Sequence, residues 1–170
     1  DAKGMMIEAI RDPNPVLFFE HKHLYRRIKG EVPEGNYTVP FGKARTAREG
    51  SDLTIIAWSA MVHVAMEAAE QLAGEGIDCE VLDMRTISPL DFEAIATSVT
   101  KTSKALVLYE DTKTGGFGAE ISARIMEELF ETLDAPVQRV ATADCPIPFA
   151  PNLEKEVLPQ TEDVVTAVQK

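Results

Sequence analysis

Thr114-Gly115-Gly116-Phe117-Gly118-Ala119-Glu120 is the stretch whose residue types come closest to binding chemistry. Glycines between an apolar strand and a helix can bring backbone amides up to an anion, as phosphate-binding loops do. The GK[ST] ending is missing and no GxGxxG falls here, so the first reading is a tight turn that lets the helix pack closely on the sheet. His63 lies one turn into a helix that follows an apolar strand, at the end where open α/β sheets bind ligands. No acid or nucleophile is paired with it in the sequence, and it reads as a structural or interface histidine. His21 and His23 should point to opposite sides of an extended chain, which makes a poor metal pair. They are expected to contact a neighbouring domain or chain. Asp83, Glu110 and Asp111 fall at strand ends, where catalytic acids sit but where capping of loops and helices is commoner. There is no GxSxG elbow. Cys79 and Cys145 lack CxxC partners, which argues against a disulfide framework and a thiolate zinc site and for a reduced compartment. Patterns alone therefore give an α/β domain without a complete active site.

Those residues must be positioned by a chain of 170 residues, 45% apolar and 26% charged, with net charge −11. The length suits one domain, or one domain and part of another. The apolar fraction suits a packed core rather than disorder. The acidic balance argues against nucleic acid and anionic membrane as partners, because both need a basic surface. No apolar run approaches the roughly 20 residues of a membrane helix. With no signal-peptide pattern, a cytoplasmic, bacterial-like location is expected. The chain opens at Asp1 without an initiator Met, and is read as a processed chain or a fragment.

Met5, Met6, Ala9 and Ile10 form an apolar stripe at helical spacing, stopped by Asp12-Pro13-Asn14-Pro15. Val16–Glu20 reads as a short buried strand. Residues 21–50, rich in Pro and Gly and without a period, read as a linker. From Asp52 the pattern becomes regular. Apolar strands begin at 53, 79, 105 and 137, spaced as βαβ units require. Helices lie between them: one capped by Ser59, one started by Ser88-Pro89-Leu90-Asp91, and one carrying Ile121, Ile125, Leu129 and Leu133. A Pro-rich loop and a last helix near 161–168 follow. The expected fold is α/β, a three-layer sandwich on a mostly parallel sheet.

Phe18-Phe19-Glu20-His21-Lys22, Leu24-Tyr25-Arg26 and Gly30-Glu31-Val32-Pro33 resemble the β subunit of thiamine-diphosphate-dependent 2-oxoacid dehydrogenases. So do Ser51–Thr54, Met61–His63, Asp83–Asp91, Lys113–Glu120 and Asp134–Val137, in the right order along the whole chain. The branched-chain (2-oxoisovalerate) type looks most similar, with pyruvate and acetoin enzymes close behind. Tyr109-Glu110-Asp111 departs from the His-Glu-Ala of many relatives. The resemblance implies that residues 1–20 are the last helix and strand of a pyrimidine-binding domain, 21–50 a linker, and 51–170 a transketolase C-terminal-like domain. It implies oxidative decarboxylation of a branched-chain 2-oxoacid with acyl transfer to a lipoyl group. Thiamine diphosphate with magnesium would be bound mainly by other regions and by the α subunit. The implied partners are that α subunit, a second β subunit and the lipoyl acyltransferase core. No catalytic or cofactor-binding residue of the family maps onto this chain, which alone should be inactive. A structural potassium ion maps onto Ala9, Ile10, Asp12 and Asn14; the last carbonyls of a helix suit a hard cation, while an Asp/Asn turn holding its own backbone is the plainer reading. A stand-alone, flavodoxin-like interaction module is the alternative from another class.

Overall fold

The computed structural model describes all 170 residues. The three central strands form where apolar and β-branched residues dominate. They are β2 (Leu53–Ala57), β3 (Cys79–Asp83) and β4 (Ala105–Thr112), and both β2 and β3 are buried at every position. With β1 (Arg45–Arg48) and β5 (Gln138–Thr142) they make one sheet of order β1-β3-β2-β4-β5. All pairings are parallel except β1 on β3. Ile55 faces Val81 on one side and Leu106 on the other, which sets the register.

Side chains alternate across this sheet, so each strand feeds two cores. Ile55, Ala57, Val81, Leu106 and Leu108 face α2 (Met61–Gly74) and α6 (Thr161–Val168), joined by Ala65, Leu72 and Val164. Ile56, Leu82, Val107 and Tyr109 face α3 (Phe92–Thr102) and α4 (Phe117–Glu128), joined by Ile95, Val99, Ile121 and Ile125. The result is the expected three-layer α/β sandwich. Before the sheet, α1 (Ala2–Arg11) packs Gly4 against Tyr37 and Val39.

Several local expectations are corrected. Val16–Phe19 is not a strand: no neighbour offers hydrogen bonds, and Leu17 and Phe19 are 84% and 87% exposed. The stretch read as linker holds a 3-10 turn, Lys22–Arg26, and the edge strand β1. Ser88 does not cap α3. The Ser88–Pro89 bond is cis, and the helix starts after Asp91, whose carboxylate accepts from Ala94 N–H. Ser59 does not cap α2 either; it takes a positive φ, and the cap position falls to Ala60. The helix carrying Ile121 and Ile125 ends at Glu128, and Leu129 and Leu133 pack from either side of a following 3-10 turn, Phe130–Thr132. The Pro-rich loop contains a further short helix, α5 (Pro151–Val157), with Pro151 in its first turn.

Candidate functional site

In an open α/β sheet the ligand crevice lies beyond the carboxyl ends of the strands, where the chain reverses its direction across the sheet. Here that point is between β2 and β4. It is filled with side chains. Trp58, just past β2, stacks on Tyr109 of β4 at 5.7 Å between ring centroids and 13° between planes. Phe117 closes against Trp58 edge-on at 6.2 Å. Tyr109 is fully buried, and its hydroxyl receives a 3.2 Å hydrogen bond from Arg139. The same guanidinium donates to the Lys113 carbonyl at 2.7 Å, pinning the glycine turn.

The 114–120 glycines serve this packing, as their turn reading expected. A Cβ on Gly118 would sit inside the Tyr109 ring, and one on Gly116 would strike the Thr112 carbonyl. Gly115 takes φ +78, a conformation that favours glycine. Thr114 donates from its backbone N–H to Asp144 at 2.9 Å and from its hydroxyl at 2.5 Å. Those two bonds hold the Asp144 carboxyl below the usual range.

The strand-end acids have structural partners. Asp83 pairs with Arg45 at 3.0 Å and accepts from the Arg85 backbone N–H at 3.1 Å. Glu110 pairs with His21, Nε2 to Oε2 at 3.0 Å. Asp111 is exposed and accepts from the Thr112 N–H at 2.8 Å. His63 is exposed on α2, and no carboxylate or nucleophile comes within hydrogen-bonding reach of it. His21 and His23 do not point to opposite sides: the 3-10 turn brings their rings to 6.0 Å, edge to face. No three His, Cys, Asp or Glu side chains converge on a possible metal position. Cys145 is exposed, whereas burial pushes the Cys79 thiol up to about 11.

Sequence reasoning missed a polar network under α3. Glu80 of β3 is 3% exposed and accepts from the Ser98 hydroxyl and the Lys101 ammonium. Thr54 links Ser98 to Thr102 through two 2.7 Å contacts, and Thr102 ends the chain on the Lys104 carbonyl. Burial pushes the Glu80 carboxyl up, but Lys101 and Ser98 outweigh it and hold it below the usual range. The network floors an open groove of about 470 Å³ that also meets Lys43, Glu49, Asp91 and Glu93. The only local signal was a glutamate among the buried positions of β3.

At the end of α1, Asp12 Oδ1 accepts from the Asn14 N–H at 2.8 Å and from its side-chain amide at 3.0 Å. The plain Asp/Asn turn is therefore present. The same turn leaves the Ala9 and Ile10 carbonyls without backbone donors, because Pro13 has no N–H and the Asn14 N–H is engaged by Asp12. Two bare carbonyls at the negative end of a helix, beside a carboxylate, fit a hard cation.

Residues 42–164 match the family model described as "Transketolase, C-terminal domain". The whole chain is 47% identical to the 2-oxoisovalerate dehydrogenase subunit beta of Bacillus subtilis, covering 52% of it. It is likewise 47% identical to the pyruvate dehydrogenase E1 component subunit beta of Rickettsia felis, covering 52% of that protein. It thus spans about half the length of the curated relatives it matches. A solved split-gene transketolase, an inactive β4 tetramer, superposes with TM-score 0.69 at 31% identity, over 82% of this chain and 44% of that one. The strand order, the filled crevice and these matches agree, and the chain belongs to the transketolase C-terminal-domain family.

Proposed function

We propose that the chain is the carboxyl-terminal part of the β subunit of a 2-oxoacid dehydrogenase, of the branched-chain (2-oxoisovalerate) type, and that this part serves subunit assembly and docking to the acyltransferase core. The observation that carries the reading is similarity along the whole chain to β subunits of such enzymes, at 47% identity, in a domain whose own ligand crevice is filled by Trp58 and Tyr109. Thiamine diphosphate with magnesium supplies the carbanion stabilisation that decarboxylation of a 2-oxoacid needs. This chain's residues do not form a seat for it, since the glycine turn is taken up by Tyr109 and no carboxylate cluster converges on a metal position. Its seat lies in other regions of the β subunit and in the α subunit. In the intact enzyme, Ala9, Ile10, Asp12 and Asn14 would hold a structural potassium ion.

The partner tests the reading. The chain, tagged and mixed with the α subunit of a bacterial branched-chain 2-oxoacid dehydrogenase, should co-elute with it in size-exclusion chromatography. A stand-alone interaction module has no need of that subunit. Separate elution at micromolar concentrations of both would remove the assembly role.

A further inference from the structure

At the carboxyl end of β3 two carboxylates and two guanidiniums alternate. Asp1 Oδ1 accepts from the Arg85 guanidinium at 3.0 Å, and Asp1 Oδ2 lies 3.7 Å from Arg45 Nε. Arg45 also reaches Asp83 at 3.0 Å, and Asp83 returns to Arg85 by accepting its backbone N–H at 3.1 Å. The four close a ring across 84 residues of sequence. Both ends of the Asp1–Arg85 pair give up a local preference for it. Asp1 stands at the N-cap of α1, where an aspartate ordinarily accepts from the helix's own first amides, yet its carboxylate makes no such bond. Arg85 takes φ +56, a region that bulky side chains rarely enter. Its side chain is 16% exposed and its Nε is buried without a partner, so Asp1 is its one side-chain acceptor. Such strain persists only where the surroundings over-determine it, and it clusters at functional positions. Asp1 lies outside residues 42–164, the matched family domain, and the other three members of the ring lie inside it.

We infer, on the reading proposed above, that Asp1 and Arg85 are positioning residues between two units of the intact β subunit. Their pair fixes how the unit that carries α1 sits on the carboxyl end of the sheet. On that reading the same unit carries part of the seat for thiamine diphosphate. This domain, its own crevice filled by Trp58 and Tyr109, then serves the chemistry by holding that seat in place. An isolated surface ion pair contributes too little for such a task. The ring differs, because the Asp83 and Arg85 side chains are only 12% and 16% exposed and every member is held by two others.

The test uses the full-length β subunit, with and without its α subunit, and compares the parent with Asp1→Asn, Arg85→Gln, the double variant and the charge-conserving Asp1→Glu. Hydrogen exchange of residues 2–11, resolved by peptide, reads the seating of α1. Each neutralising variant should speed that exchange about tenfold, as loss of a partly screened charge-assisted hydrogen bond would. The double variant should be no faster than the faster single one, since both remove the same pair. Exchange in β2, β3 and β4 should not change. In the assembled enzyme, the thiamine diphosphate concentration that half-saturates turnover should rise several-fold in the neutralising variants. Asp1→Glu should lie nearer the parent than Asp1→Asn in both readouts. Parent-like α1 exchange, multiplying effects in the double variant, equal acceleration in the central strands, or an unmoved half-saturation point would each overturn the positioning role. The two readings fail separately: an absent complex with the α subunit counts against the enzyme role, and unmoved α1 exchange in the β subunit counts against the pair.

Discussion

Gly118 and Glu80 each put the packing to a single-residue test. Gly118→Ala drives a methyl group into the Tyr109 ring, which Trp58 and Arg139 hold in place. Chemical denaturation should show a loss of about 1–3 kcal/mol or more, the cost of overpacking a rigid core. Gly74→Ala, at a helix end with nothing within 4 Å of the added carbon, should gain about 0.5 kcal/mol. A Gly118→Ala protein as stable as the parent would mean that the glycines answer to something other than packing. The second test uses charge. Glu80→Ala leaves Ser98 and Lys101 without their shared acceptor and should cost about 2–4 kcal/mol, below a fully buried pair because Lys101 is 44% exposed. The folded-state carboxyl is lowered, so its contribution is present above the ordinary glutamate value of about 4.3 and is lost as pH falls through the folded value. Acid titration of stability should therefore be shallower in Glu80→Ala than in the parent, and equal slopes would contradict the pairing. The glycine turn could be read from its neighbours in sequence. The partners of Glu80 and Glu110 could not, because they stand 18 to 89 residues away and are set only by the fold.

Elements were legible where two layers bury them. β2, β3 and β4 follow from mostly apolar runs, and α4 from an apolar stripe whose Ile121 and Ile125 meet one face of the sheet. Segments that depend on one partner were misread. Val16–Phe19 has strand composition but no strand to pair with, whereas Arg45–Arg48 lacks that composition and pairs with β3 as an antiparallel edge. At α3 the expected start at Ser88-Pro89-Leu90-Asp91 shifts to its last residue: Asp91 caps the helix, and its carboxylate also accepts from Ala44 N–H at 2.9 Å, tying the approach to β1 onto the helix. The end of α1 yields a prediction at this scale. If the bare carbonyls of Ala9 and Ile10 with Asp12 hold potassium, the intact β subunit should melt higher in potassium than in an equal concentration of tetramethylammonium. Asp12→Ala should abolish that difference. A melting point indifferent to the cation, or a difference that survives Asp12→Ala, would leave the Asp/Asn turn as the whole story of this corner.

For the whole molecule, the net charge of −11 and the α5–α6 segment bear on docking. Glu154, Glu156, Glu162 and Asp163 are all exposed. Asp163 has a second duty, since it accepts from the Gln160 N–H at 2.8 Å in a capping box for α6. A docking test should therefore change Glu154, Glu156 and Glu162 and leave Asp163 in place. If this face receives a basic domain of the acyltransferase, association should slow steeply with salt, because surface charges are screened over about 8 Å at physiological ionic strength. The triple Glu→Gln change should flatten that dependence, as stopped-flow rates at several salt concentrations would register, and an unaltered slope would move docking to another face. The central proposal is that this domain assembles an enzyme and relies on other regions for the chemistry, with Trp58, Tyr109 and Phe117 packed into its own crevice. Its most direct test is carbon dioxide release from carboxyl-labelled 2-oxoisovalerate by the purified 170-residue chain with thiamine diphosphate and magnesium, run beside the intact α and β subunits. The account predicts release at the level of buffer from the chain and turnover from the intact enzyme, and steady turnover by the purified chain alone would contradict it.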